Sequence, residues 1–462
     1  MQTRTINRRV FLKGSAMALG VSALAACTVV APTTDGGAPM PTAGVLWGLQ
    51  YDHHIGAYER LSDLYLEQSG VELTVAPQPW PIETKLIAAL SAGTQPEAAC
   101  IMGKVLVPLH IQNALMPLRE SVYNHNGLDV DEDFNGDSVE AYSWGDDIWG
   151  VPTEMNGVGS MVNVPVDEVE AMGMADAFPP TNGEPYFDSY TSMWELAKSL
   201  QVEEDGTVVR GGLSSKGWDA QSYLGIVRSL LAAEGTDWWD NDNKNFNVDT
   251  DAGVQAMELF VDTPVEMGIE TELDQNHVDA ALAGKVALAR GNGTPMIEGH
   301  KHGYSYELTG APRVTPPDAP LFVGEGGWGF VAPRQSKQPD VSIDFLRMVG
   351  TLEGQTEYAR IYGGAAHTAW RGLVGVYDHF EDSSDASSAV KAHKLLQALA
   401  STTGYYGQGF GSPSSVDGAV AQVCSEVRQQ NLTAAEGAAV LQGRLDAIYA
   451  QFQSDMSTYT PA

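Results

Sequence analysis

The chain is short of positive charge, cysteine and long apolar runs, and each shortage excludes something. Lys and Arg together number 26 against 59 Asp and Glu in 462 residues, a formal net charge of −33. Clustered Lys and Arg are what grip nucleic-acid phosphates or an anionic membrane surface, so neither is an expected partner. Three Cys are too few for a disulfide framework in a chain of this length. No apolar stretch reaches the ~20 residues of a membrane-crossing helix. The sequence also lacks a Gly-x-Ser-x-Gly elbow, a His-Glu-x-x-His pair and a phosphate loop, which removes three common routes to catalysis. What is present is globular: 43% hydrophobic residues, ten Trp, and length enough for two or three domains.

Residues 1–26 hold Arg4, Arg8, Arg9 and Lys13 and no acid, so their removal takes four positive charges from −33 and leaves −37. The paired arginines precede a small-residue apolar run from Gly14 to Ala26, and the run ends Leu24-Ala25-Ala26-Cys27. This segment resembles a twin-arginine export signal closed by a lipobox, which implies that residues 1–26 are discarded and that Cys27 becomes a lipidated first residue. Two or more acyl chains hold a protein on a membrane where one holds it reversibly. Residues 27–43, rich in Pro, Thr, Gly and Ala, read as a flexible tether. The expected location is therefore the outer face of the cytoplasmic membrane. Twin-arginine export moves folded proteins, so Cys100 and Cys424 read as small buried residues rather than a bridge.

From residue 45 short apolar runs alternate with helical periodicity. Val45–Gln50, Glu72–Ala76 and Ala98–Met102 read as strands, and Ala57–Gln68, Ile82–Ala92 and Leu106–Ala114 as helices. That order predicts an α/β fold with mostly parallel sheets flanked by helices. Further helices are expected at Gln221–Ala233, Ala252–Val261 and Val278–Ala283, and strands at Lys285–Ala289, Tyr304–Leu308 and Gly329–Ala332. Ser192-Met193-Trp194-Glu195 and Thr433-Ala434-Ala435-Glu436 are capping-box patterns, the second opening a final helix in a tail read as helical from Asp340. The acids Asp129, Asp131, Glu132, Asp133 and Asp137 approach calcium-loop spacing, but position six is Phe134, not Gly, so a solvated acidic loop is the reading. His53-His54 reads as surface or cleft-rim histidine, and His300 and His302 have strand spacing without a partner set. No metal or cofactor is expected.

Five stretches together resemble the family 1 extracellular solute-binding proteins of ABC importers, the carbohydrate-binding group related to maltose-binding protein. They are Leu86-Ile87-Ala88-Ala89-Leu90-Ser91-Ala92-Gly93-Thr94-Gln95-Pro96-Glu97; Leu115-Met116-Pro117-Leu118; Asp147-Ile148-Trp149-Gly150-Val151-Pro152 with Met161-Val162-Asn163; Ala283-Gly284-Lys285-Val286-Ala287-Leu288; and Gly326-Gly327-Trp328-Gly329-Phe330-Val331-Ala332-Pro333, followed by Ser336-Lys337-Gln338-Pro339 and Asp344-Phe345-Leu346. Val164 departs from the pattern, standing where the family usually has Lys, and Arg290-Gly291-Asn292-Gly293-Thr294-Pro295 holds no aromatic where the family often has one. The resemblance implies a type II periplasmic-binding-protein-like fold of two α/β lobes with a hinge and ligand in the cleft. It places residues 44–155 and about 295–330 in an N-terminal lobe and about 156–294 and 331–462 in a C-terminal lobe. The crossings are expected near Asn156–Gly159, Pro295 and Val331. Lobe closure on ligand would be hinge motion that a transporter can sense.

A sugar has apolar faces and a belt of hydroxyls, so its site needs flat aromatics and planar polar groups. Ligands of open α/β sheets sit beyond the carboxyl ends of strands. That rule selects Trp47, Gln50, Tyr51 and Asp52 after the first strand, Trp80 after the second, Glu154 and Asn156 at the first crossing, and Asn292 after the Val286 strand. It also selects Glu325 and Trp328 at the Gly-Gly turn, Trp370 and Arg371 after Gly363-Gly364, and Tyr405 with Tyr406 in a second Gly-rich loop; Trp218-Asp219, just before the Gln221 helix, reads as a cleft pair, and of the adjacent Trp238-Trp239, which cannot share one face, Trp239 is the candidate. Trp194, at helical spacing with Leu200, reads as core.

The expected function is a substrate-binding lipoprotein, without chemistry of its own, that captures a sugar or oligosaccharide as a monomer and delivers it to ABC permease subunits. One alternative is a receptor for a polyamine or other small cation, since cation clefts need carboxylates and aromatics. The other is a secreted carbohydrate-active enzyme using paired carboxylates, though no pair stands out. A cleft needs only a few carboxylates, so the acidity reads as a surface property suited to an external saline or acidic medium.

Overall fold

A computed structural model describes residues 44–457 except 80–81, 136–137, 156–160, 175–186, 188, 215–218, 237–238, 241–244, 270–276, 292, 311, 317–320, 325, 363–366, 372, 374–402 and 406–412. The leader, Cys27 and the tether lie outside the described residues, as do Trp80, Asn156, Trp218, Trp238, Asn292 and Glu325. In chain order the elements that position the site are β1 (Gly44–Leu49), α1 (Asp52–Ser69), β2 (Leu73–Gln78), α2 (Ile82–Ala92), β3 (Ala98–Met102), β4 (Val151–Pro152), β5 (Met161–Pro165) and α3 (Tyr190–Leu200). Then come β6 (Val202–Glu204), β7 (Thr207–Ser214), α4 (Asp219–Ala233), α5 (His277–Leu282), β8 (Val286–Arg290), α6 (Thr294–Glu298) and β9 (Tyr306–Gly310). The last are β10 (Trp328–Val331), α7 (Pro339–Val349), α8 (Leu352–Tyr362), α9 (Pro413–Arg428) and α10 (Ala434–Ser457).

The opening β-α-β-α-β follows its apolar pattern. In α1 the buried positions Ala57, Tyr58, Leu61, Leu64 and Tyr65 make one stripe. The helix stops at Gly70, whose φ of +73° lets its N–H return to the Leu66 carbonyl. All five residues of β3 are buried, as in a central strand covered on both faces.

Two five-stranded sheets organise two hydrophobic cores. The first has the order β2-β1-β3-β10-β4 and the second β9-β5-β8-β7-β6. Both are mixed rather than mostly parallel. β1 is parallel to β2 and β3, but β10 is antiparallel to β3 and to β4. In the second sheet only the β7–β8 pair is parallel. A β-α-β unit makes neighbours parallel, whereas a strand arriving from the other body is free to enter antiparallel, and β10 does so.

The lobe boundaries differ from those expected. β9 lies in the second sheet, and residues from β10 through Leu373 lie in the first core. α7 packs there through Val341, Phe345, Leu346 and Val349, with the Phe345 ring edge-on to Tyr65 and Phe330 at 5.7 and 5.5 Å. The chain crosses between Met155 and Met161, again between Gly324 and Trp328, and a third time between Leu373 and Pro413.

Local expectations also shift. The tail is not helical throughout, because His367–Thr368 and Thr403–Tyr405 are short strands. The cap of α3 is Ser189 with Ser192 as its reciprocal partner, one turn earlier than the Ser192–Glu195 pattern suggests. Ser189 is the better cap because it leaves Tyr190, Met193 and Trp194 on the buried face. The Thr433–Glu436 box opens α10 as expected, with Glu436 N–H on Thr433 and Thr433 N–H on the Glu436 carboxylate. Trp194 is fully buried and donates its indole N–H to the Leu259 carbonyl at 2.9 Å. Cys100 and Cys424 are both buried, one in each core, and are not joined by a disulfide.

Candidate functional site

The carboxyl ends of the first sheet's parallel strands lie along one edge. They continue into Gln50-Tyr51-Asp52 after β1, Pro79 after β2 and Gly103-Lys104-Val105 after β3. Antiparallel pairing brings the start of β10 to the same edge, since Trp328 pairs with Met102, and the end of β4 leads there into Thr153-Glu154. In the second sheet the corresponding edge carries Ser214, Arg290, Met161 and Gly310, fixed by the Ser214–Ala289, Arg290–Val162 and Gly310–Met161 pairings. Residues that follow strands at the first edge touch residues of the second body, and these contacts define a seam between the two. Ligands of open α/β sheets collect at such edges.

Several contacts span the seam. Lys104 Nζ stands 3.0 Å from Asp417 Oδ2 of α9. Lys301 Nζ is 4.0 Å from Asp52 Oδ2, with both side chains exposed. Tyr51 is 47% exposed, and partial burial, reinforced by the carboxylates of Asp279 and Glu298 from α5 and α6, raises its phenol above the ordinary value. Phe452 of α10 meets the edge of Trp144 at 5.8 Å.

The first-sheet side is aromatic and acidic. His54 is buried, not at the rim. Its Nδ1 lies 2.9 Å from the Tyr58 hydroxyl and its ring meets Trp328 edge-on at 5.7 Å and Tyr51 at 6.0 Å. Glu154 is 1% exposed, and its negative charge helps push the Tyr58 and Tyr358 phenols and the Cys100 thiol upward, behind the larger effect of burial. The crossing chain passes tightly over it. Gly327 has a φ of +54°, and a Cβ there would sit 2.1 Å from the Glu154 carbonyl oxygen. Only glycine takes both the left-handed backbone and that approach.

The remaining candidates fall in several places. Trp47 is half-buried against the first core, and Gln50 is exposed. Trp370 is 9% exposed and packs on Phe134 at 5.2 Å, two residues after Thr368, which pairs with Glu154. Arg371 follows it, its backbone N–H donating to Asp133 and its Nε to the Phe134 carbonyl at 3.0 Å. Asp219 is buried in an ion pair with Arg428 of α9, inside the second body. Trp239 and Tyr405 have their backbones on two short strands.

The acidic run forms a short helix, Val130–Asp133, whose cap is Asp129 accepting from the N–H groups of Asp131 and Glu132. Among the described residues no group of three or more His, Cys, Asp or Glu is placed to hold a metal ion. His300-Lys301-His302 lies in a 3₁₀ turn, not a strand. Lys104, Glu83, Asp417, Asp279, Glu298 and Lys301 escape the sequence selection. The strand-end rule applied to β3 points to Lys104, and nothing local marks the other five.

No family model matches the chain, and no curated protein does. Solved structures do. An ABC substrate-binding protein from Listeria monocytogenes in complex with cycloalternan superposes with a TM-score of 0.68 at 12% identity, covering 89% of this chain and 99% of that one. The binding protein associated with an ABC transporter of B. animalis subsp. lactis, in complex with β-1,6-galactobiose, also gives 0.68, at 15% identity and 89% and 98% coverage. An ABC transporter solute-binding protein from Thermotoga lettingae bound with α-D-tagatose gives 0.65 at 16% identity, with 88% and 100% coverage. The fold is thus the two-lobe α/β fold of maltose-binding-protein-like solute receptors. Among the described residues no helix is long and apolar enough to cross a membrane.

Proposed function

We propose that this protein is the solute-capture receptor of an ABC importer and that it takes a sugar or short oligosaccharide in the seam between its lobes. The observation that carries the reading is the whole-chain likeness of the fold to receptors whose structures hold cycloalternan, β-1,6-galactobiose and tagatose. The seam supplies what a saccharide needs. Tyr51 is an exposed ring at its edge, while Glu154, Asp52 and Lys104 are polar groups beside it. Of the other candidates, Gln50, Trp328 and Trp47 stand nearest these strand ends, and Trp80, Asn156, Asn292 and Glu325 belong to the same loops by sequence. In this reading the twin-arginine leader exports the folded chain, Cys27 carries the lipid, and an ABC permease receives the solute.

A thermal-shift screen of the full chain tests this. A ligand at 100 times its Kd stabilises the folded state by about 2.7 kcal/mol, so a cognate saccharide among maltotriose, β-1,6-galactobiose and tagatose raises Tm by several degrees. Mass spectrometry of the membrane-associated protein then finds an acylated Cys27, and Cys27→Ser releases the protein to the soluble fraction. A second reading has one observation in its favour: Asp52, Asp279 and Glu298 gather acid around an exposed Tyr51 ring, the composition of a cation site. Stabilisation by putrescine or spermidine and by no saccharide would select it, and turnover of an oligosaccharide would reject both readings in favour of an enzyme.

A further inference from the structure

Three stretches of chain that run to or from the crossings lie against one tripeptide, Thr153-Glu154-Met155. Thr153 donates its N–H and its hydroxyl to the Trp328 carbonyl, at 3.0 and 3.1 Å, so the chain arriving from the second crossing is tied to the chain entering the first. Gly327 passes directly over the Glu154 carbonyl. The segment that leads to the third crossing lies beside the same tripeptide. His367 and Thr368 pair antiparallel with Met155 and Glu154, and the Ala369 N–H donates to the Thr153 carbonyl at 3.3 Å. β5 of the second lobe begins at Met161, so Met155 is where the first crossing leaves the first lobe.

One residue also holds that segment. Asn135 donates its backbone N–H to the Ala369 carbonyl at 2.6 Å, and its Nδ2 stands 2.8 Å from the Thr368 carbonyl oxygen and 3.1 Å from that of Trp370. A primary amide has two N–H groups, and here each has its own carbonyl. The orientation of the amide is fixed by this, because the flipped form would set its oxygen against two other oxygens. Three successive carbonyls are thus met by a single asparagine. The join continues on either side, where Phe134 bridges Trp370 and the Arg371 N–H donates to the Asp133 carbonyl at 2.7 Å.

We infer that Asn135 is a positioning residue whose donors brace residues 368–370 against Thr153–Met155, and that this brace fixes the direction in which the first crossing leaves the first lobe. Asn135 acts through the segment it holds. Glu154 and Trp328 belong to the proposed solute site, so the use of the brace in solute capture rests on the receptor reading, while the brace itself rests on the bonds just given. The chemistry separates two roles for the side chain. Asp has the shape of Asn, but its carboxylate has no N–H and sets oxygen against the Thr368 and Trp370 carbonyls. Ala removes the donors without opposing the carbonyls. If the donors matter, Asp is no better than Ala; if only the volume matters, Asp replaces Asn and Ala does not.

The test uses the full chain without solute. Pulsed electron-spin distances are read between nitroxides at Glu59→Cys and Glu234→Cys in a Cys27→Ser background, and hydrogen exchange is read by mass spectrometry on the same variants. Both label sites are exposed, one on each lobe, and Cys100 and Cys424 are buried away from the reagent. In N135A the peptides covering 367–371 and 153–155 exchange about tenfold faster, the equivalent of one to two lost hydrogen bonds, and the interlobe distance distribution widens. N135D changes both at least as much, and the β3 peptide 98–102 keeps its rate in both variants. The inference is overturned if neither variant changes, or if N135A changes and N135D does not, which would make Asn135 a space-filler. It is overturned equally by exchange that rises as much in 98–102, a general loss of the fold, and by faster exchange at 367–371 with an unchanged distance distribution, which would confine Asn135 to its own segment. No saccharide enters, so failure of the brace and failure of the saccharide reading are told apart.

Discussion

Asp219 and His110 show how much a single residue's neighbours decide. Asp219 begins α4 beside the seam, yet its carboxylate is spent on Arg428, with both side chains under a tenth exposed. Breaking a buried pair by removing one partner costs about 3–5 kcal/mol because the other charge stays behind. D219N is therefore expected to lose stability on that scale in urea unfolding while keeping its solute affinity. Lost affinity with unchanged stability would return Asp219 to the site. His110 is 5% exposed and packs edge-on to Trp149 at 4.4 Å. Burial, with Arg334 behind it, lowers its pKa below the ordinary 6.5. The folded ring stays neutral where the unfolded one takes a proton, so this group's contribution is whole above about pH 6.5 and declines as pH falls from there toward the folded value. Melting curves at pH 7.5 and 5.5 are expected to differ less in His110→Gln than in the unsubstituted chain. An equal difference would remove His110 from the pH response.

At the scale of elements, glycine position separates a structural requirement from a tolerance. Gly327→Ala forces a Cβ against the Glu154 carbonyl from a left-handed backbone and is expected to cost at least about 1 kcal/mol. Gly443→Ala, inside α10 with nothing within 4 Å, is expected to gain about 0.5–1 kcal/mol. Chemical denaturation checks both, and a Gly327→Ala variant as stable as the unsubstituted chain would show that the crossing adapts. The same contrast explains what the sequence makes legible. The stretch from β1 to β3 is readable from the helical stripe of α1 and the continuous apolar run of β3, and the Thr433 box because both its bonds are local. The lobe to which α7 and α8 belong is not readable. An amphipathic face says that a helix is covered, not by which core, and Phe345 meets Tyr65 across a separation of 280 residues in sequence. The site is legible only in part for the same reason. Strand ends mark Tyr51, Glu154 and Trp328, whereas Asp417 and Arg428 take their roles from partners more than 200 positions away.

At the scale of the whole molecule, the described residues carry their acidity largely on the outside. Among described residues the buried acids are few, Glu97, Glu154 and Asp219, so the other described acids of this strongly acidic chain are at least partly exposed. Mutual repulsion of that surface destabilises the compact state, and salt that shortens the screening length from about 10 Å at 0.1 M to about 3 Å at 1 M relieves it. Tm is expected to rise through that range of NaCl, and a flat response would detach the acidity from a saline setting. In the proposed function a solute lies between the two cores and is reached by both. Small-angle scattering combined with titration calorimetry on the full chain, against maltotriose, β-1,6-galactobiose, tagatose and spermidine, tests that account most directly. One saccharide is expected to bind per chain, with saturable heat and a smaller radius of gyration at saturation. Saturable binding of spermidine with no heat from any saccharide would contradict it.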